Sequence, residues 1–180
     1  SKENQVLDLI LENSPTKQWH FTDLLNRTSM TKASLNKWLT KYQKEKLLKK
    51  IKRPKKFAYY EAGQNNPTYQ SKKRVYALQL MEQSGFLDHL ASLKDAKVII
   101  LFGSFSRWDW YKDSDIDIFI YGDDGDIEQA RFELKLKKEI QIHHAKDKKG
   151  LRKISKMLPY IIAGDFIKGS IEDLGVRVHA

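Results

Sequence analysis

The chain has 180 residues, enough for one ordinary domain or two small ones, and its 41% apolar content is ample for a core. A net charge of +10 favours a polyanionic partner without identifying it, and the lack of cysteine excludes a disulfide framework or a Cys-ligated metal. No apolar run approaches the roughly 18 residues that span a bilayer. The first residues, SKENQVLDLILENS, read as an amphipathic helix rather than a leader, so a cytoplasmic protein with no membrane partner is expected.

The charge is uneven. Residues 1–66 carry a net +8 and residues 67–180 a net +2, which suggests two modules with different partners. In chain order, Val6, Leu7, Leu9, Ile10 and Leu11 predict a short helix ending near Asn13-Ser14-Pro15. Phe21, Leu24 and Leu25 suit a second helix. Leu35, Trp38, Leu39 and Tyr42 recur at i, i+3, i+4, i+7 and predict a third from Thr31 to about Lys44, with Ser29 or Thr31 as N-cap. LLKKIKRPKKFAYYEAG reads as a hairpin with Pro54 in a basic tip. GQNNP marks a boundary, followed by a connecting helix from Tyr69 to about Ser84 and a short helix in SGFLDHLASL.

Three short helices and a basic hairpin resemble a winged helix-turn-helix domain. The resemblance rests on organisation, not on an invariant motif. It implies a recognition helix carrying Lys32, Lys37 and Lys41 and a wing carrying Lys50, Lys52, Arg53, Lys55 and Lys56, disposed to grip DNA or RNA phosphates. The plainer reading is a solvated lysine surface on a protein-binding module.

Beyond about Asp95 the pattern changes. KVIILF is a buried strand, DIDIFIY a second, DIEQARFELKLK a helix, EIQIHH a third strand and LRKISKMLPYIIAG a final helix. This order suits a small mixed α/β sheet with helices on one side. The expected class is α+β: a winged helix-turn-helix domain over 1–64, connecting helices over 65–90 and an α/β domain over 91–180.

The chemistry concentrates in LFGSFSRWDWYKDSDIDIFIYG. Asp115 and Asp117 at i and i+2 of a strand share a face, with Cα atoms roughly 6.5–7 Å apart. Carboxylates so placed can converge on one cation, and Mg²⁺ favours one or two of them with phosphate oxygens and water completing its shell. Gly103 allows close approach of a ligand to the backbone. A helix starting at Ser104 would offer free N–H groups to an anion. Taken singly, Gly-Ser is commonly a plain turn and Asp-x-Asp a solvated edge.

Together, Gly103-Ser104, a ten-residue spacer with Arg107, and Asp115-Ile116-Asp117 resemble the nucleotidyltransferase superfamily of DNA polymerase β, particularly its minimal prokaryotic members. The resemblance is close over about 20 residues and extends in strand order to about residues 91–180. It implies that a nucleoside triphosphate binds with its phosphates on Gly103, Ser104 and Mg²⁺ (or Mn²⁺), with Asp115 and Asp117 as metal ligands. An acceptor hydroxyl then attacks the α-phosphorus and pyrophosphate leaves. Arg107 falls on a frequent Arg of the family and suits phosphate neutralisation, or else a surface ion pair with Asp109 or Asp113.

Two positions depart from the family pattern. Trp108 stands where Gly is usual, so Trp108 and Trp110 either stack on a base or pack between loop and connecting helix. The third carboxylate is also missing. Gln141 takes its slot, with Glu139 and His143 on the same strand face as substitutes, and Glu139 is the candidate third acid. The alternative is therefore a DNA-binding regulator or antitoxin-like protein whose weak transferase domain senses nucleotide or dimerises. Minimal family members also imply a protein acceptor, since some are antitoxins that modify a paired toxin. An exposed Trp-rich loop leaves homo-oligomerisation open.

Overall fold

The computed structural model describes residues 2–125 and 127–175. The chain divides into two compact units, residues 1–75 with 108–112 and residues 76–107 with 113–180.

In the first unit, α1 (Lys2–Glu12), α2 (Phe21–Arg27) and α3 (Lys32–Lys44) accompany an antiparallel sheet of β1 (Trp19–His20), β2 (Leu48–Ile51) and β3 (Tyr59–Ala62) in the order β1-β3-β2. The expected periodicity of α3 is met, with Leu35, Leu39 and Tyr42 buried. Thr31 is the N-cap, accepting the Ser34 N–H at 3.2 Å. Val6, Ile10, Leu24, Trp19, Tyr59 and Tyr60 are also buried. Two-residue β1 was not legible, because so short a strand shows no alternation.

Lys73 is fully buried in this unit. Its ammonium donates to the Asn13 carbonyl at 2.9 Å and lies 4.4 Å from the centroid of the buried Trp110 ring. The cation keeps a hydrogen bond and a ring face in place of water, the conditions under which a buried charge is tolerated. Of the two readings of the aromatic spacer, packing against the connecting helix is the one observed for Trp110. Trp108 is half-buried.

Helix α4 (Pro67–Ser84) leads to α5 (Phe86–Ser92). The second unit holds a mixed sheet of β4 (Ala96–Phe102), β5 (Ile116–Gly122), β6 (Ile140–Ala145) and β7 (Asp165–Lys168) in the order β6-β5-β4-β7. β4 is antiparallel to β5 and β7, while β5 and β6 run parallel and are joined through α6 (Gln129–Leu136). Val98, Ile100, Phe102, Phe119 and Tyr121 form one core face with Leu151 and Ile161. Ile99, Leu101, Ile118 and Ile120 on the other face are fully buried too. Both faces are therefore covered, where the sequence suggested helices on one side.

The expected single final helix is two: α7 (Lys148–Lys153) and α8 (Leu158–Ile162). Pro159 explains the break, because its ring excludes the helical position of the carbonyl four residues back. Asp147 caps α7 by accepting the Gly150 N–H at 2.8 Å.

Candidate active site

The candidate residues meet at one end of the mixed sheet. β4 ends at Phe102, which pairs in register with Asp117 of β5. Asp117 in turn lies level with Gln141 on β6. Parallel strands in register place such residues on one face, so the acid of β5 and the amide of β6 are neighbours by construction.

Gly103 makes the closest approach. Its φ of +74° and ψ of −160° belong to a region that only glycine occupies readily. A Cβ added there would stand 2.2 Å from Oδ2 of Asp117. The glycine thus lets the carboxylate press against the turn. The following residues form one 3-10 turn, Ser104–Ser106, and not the helix the sequence suggested. The helix-dipole argument for an anion site therefore falls, and what remains is a glycine turn with a serine hydroxyl. The Ser106 hydroxyl donates to the Gly103 carbonyl at 3.0 Å and the Arg107 N–H to the Ser104 carbonyl at 2.9 Å, fixing that turn. Among the described residues the Ser104 hydroxyl makes no hydrogen bond. Arg107 is exposed at the end of the turn.

Asp115 lies one residue before β5 and is half-buried. Its Oδ2 accepts the Gln141 amide N–H at 2.7 Å. Oδ1 of Asp117 is 3.4 Å from Nε2 of His143, with the two side chains 23% and 31% exposed. His143 also meets the Phe102 ring edge-on at 5.1 Å. Two acids thus stand side by side, each with a nitrogen partner from β6.

Glu139 does not join them. It lies just before β6, is exposed, and lines a shallow cleft of about 520 Å³ with Ala130, Glu133, Leu134, Lys137 and Lys138. Its backbone carbonyl, not its carboxylate, faces β5, accepting the Ile116 N–H at 2.9 Å. Among the described residues no three His, Asp or Glu side chains are grouped to hold a metal ion. A cage built from protein ligands alone therefore does not fit this site. Asp115 and Asp117 match in number the one or two protein carboxylates that Mg²⁺ takes when water and substrate oxygens complete its shell.

One neighbour was missed in the sequence. Lys138 donates to the Ser114 carbonyl at 3.2 Å and lies 5.4 Å from the Phe105 ring centroid, which sets a cation beside the approach to Asp115. The signal was available in the parallel pairing, which brings the residues preceding β6 alongside those preceding β5.

The basic residues expected on the first unit, Lys32, Lys37, Lys41, Lys50, Lys52, Arg53, Lys55 and Lys56, are all exposed. Lys37 and Lys41 lie 5.4 and 4.9 Å from the Trp38 ring centroid, and Lys41 also lies 3.8 Å from Glu45. Among the described residues no helix is long and apolar enough to cross a membrane.

No curated protein matches the chain. A solved structure of the toxin-antitoxin MntA-HpeT in mutant form is similar at 17% identity, over 57% of this chain and 77% of that one, with a TM-score of 0.35. The family model described as "Polymerase beta, Nucleotidyltransferase" matches residues 87–170, the segment that carries the glycine turn and both aspartates.

Proposed function

We propose that the chain transfers a nucleoside monophosphate from a nucleoside triphosphate to an acceptor hydroxyl, with a winged helix-turn-helix domain over residues 1–64 to engage a nucleic-acid or protein partner. The connecting helices are 65–90 and the transferase domain 91–180. The observation that carries the reading is the Gly103 turn packed against Asp117, with Asp115 beside it. This sets a glycine turn with a serine hydroxyl beside two carboxylates on one sheet end.

In the proposed reaction the Gly103-Ser104 backbone and the free Ser104 hydroxyl receive phosphate oxygens, and Arg107 and Lys138 offset phosphate charge. Asp115 and Asp117 would hold Mg²⁺, which when bound polarises the phosphate and lowers the pKa of the attacking hydroxyl. The acceptor hydroxyl gives up its proton to solvent as its oxygen bonds to the α-phosphorus, the bond from the α-phosphorus to the α–β bridging oxygen breaks, and pyrophosphate departs. The test is incubation with α-labelled nucleoside triphosphates, Mg²⁺ or Mn²⁺, and nucleic-acid or protein acceptors, with Asp117→Ala as control. Label transfer that needs metal and vanishes in the variant is expected. Transfer that survives in Asp117→Ala contradicts the assignment.

A second reading is favoured by one contact: the Gln141 amide, not a third acid, faces Asp115. A site lacking that acid has no third carboxylate to share a metal or serve as a base, and glutamine cannot take a proton. On this reading the domain binds nucleotide and transfers slowly, serving as a sensor in a DNA-binding or antitoxin-like protein. Saturable metal-dependent nucleotide binding without label transfer to any acceptor selects it.

A further inference from the structure

We propose that the tip of the β2–β3 hairpin is a stacking site for an unpaired base of single-stranded nucleic acid, with Phe57 as its platform. This rests on the nucleic-acid reading of the first unit and deepens it. Phe57 is 89% exposed, the most exposed of the large apolar side chains described. Lys52, Arg53, Pro54, Lys55 and Lys56 are exposed with it, and the six residues line a cleft of about 540 Å³. That is ample for one base, since small-ligand pockets run about 300–1,000 Å³.

The tip is held in shape. Lys56 N–H donates to the Arg53 carbonyl at 3.2 Å across a turn through Pro54, with Lys55 at φ +58°. The hairpin's other aromatics, Tyr59 and Tyr60, are buried, with Arg53 and Lys50 5.9 and 5.7 Å from their ring centroids. Among the described residues no ring or cation stacks on Phe57, so its face is open to a ligand. No acidic residue lies between Glu45 and Glu61.

An exposed aromatic ringed by cations matches a polyanion that also presents apolar π-faces. Single strands do so directly, whereas duplex bases must first be unstacked at a cost. Anionic membrane is the poorer fit, because interfacial binding takes a broad apolar face and the tip offers one ring.

The test measures binding of the full chain to labelled oligothymidylate and oligouridylate, a DNA duplex, and anionic phospholipid vesicles, over a salt series. Phe57→Ala should weaken single-strand binding roughly 5- to 150-fold without changing the slope of log affinity against log salt. Phe57→Trp should retain affinity, and its added fluorescence should be quenched on binding. The triple change Lys52→Ala, Lys55→Ala, Lys56→Ala should instead flatten the slope by about 2. Unchanged single-strand affinity in Phe57→Ala overturns the stacking site and leaves the nucleic-acid reading standing. So does a loss confined to duplex or to vesicles. Failure of the wild type to bind any oligonucleotide overturns both.

Discussion

Gly103 stands where a Cβ would collide with the Asp117 carboxylate, and this makes the glycine a sensitive small residue of the site. Gly103→Ala would put a methyl 2.2 Å from the Asp117 carboxylate at a backbone conformation alanine avoids. The expected result is a folded protein whose melting temperature no longer rises with Mg²⁺ and nucleoside triphosphate, where the wild type's does. An undiminished rise would show that the turn is not part of the site. Gln141 offers the converse experiment. Gln141→Glu replaces the N–H donor to Asp115 with a third charge, so stability without metal should fall while Mn²⁺ affinity by calorimetry rises. Equal metal affinity in the two proteins would contradict the two-carboxylate site. Strand spacing in the sequence brought Asp115, Asp117, Gly103 and Gln141 to one sheet end, where the fold also has them. It did not exclude Glu139, because Glu139, Gln141 and His143 share one parity along the strand. Parity fixes a face, but only where β6 begins decides which residues stand beside the acids.

Among the elements, α6 and β6 are tied by one carboxylate. Glu133 accepts the Ile140 N–H and the Gln129 amide, both at 3.0 Å. These bonds hold its pKa below the ordinary glutamate value, with the backbone bond the larger cause. A depressed carboxylate contributes stability that is present above its unfolded pKa and is lost as pH falls through the folded one. Glu133→Gln should therefore melt lower than the wild type at neutral pH, with the difference shrinking through the acid range. A difference that grows on acidification would contradict the latch. In the first unit, Trp110→Ala should cost about 3–5 kcal/mol in denaturant unfolding, because a fully buried ring is removed from beside the buried Lys73 ammonium. A loss below about 1 kcal/mol would show that the packing collapses without penalty. Helical spacing made α1, α2 and α3 readable, and apolar runs gave β4 and β5. The 3-10 turn after Gly103 and the break before α8 were not read, since each depends on one or two residues within a pattern that otherwise continues. Nothing in the sequence paired Trp110 with Lys73, because that contact is made only by the fold.

At the scale of the whole molecule, the net +8 of residues 1–66 sets the expected response to salt. If six to ten phosphates are engaged, nucleic-acid affinity should fall about three to five orders of magnitude between about 50 and 200 mM salt. Binding that ignores salt over that range would contradict a phosphate-driven mode. The net charge of residues 67–180 is only +2, so on the proposed function their affinity for nucleotide comes from the local site and not from the general field. The most direct test of the central claim is therefore calorimetric titration of the whole chain with a nonhydrolysable nucleoside triphosphate, with and without Mg²⁺, in wild type and Asp117→Ala. Saturable binding that requires Mg²⁺ and is lost in the variant is the predicted result. Binding of equal strength without Mg²⁺, or equal strength in Asp117→Ala, would contradict a metal–nucleotide site at Asp115, Asp117 and the Gly103-Ser104 turn.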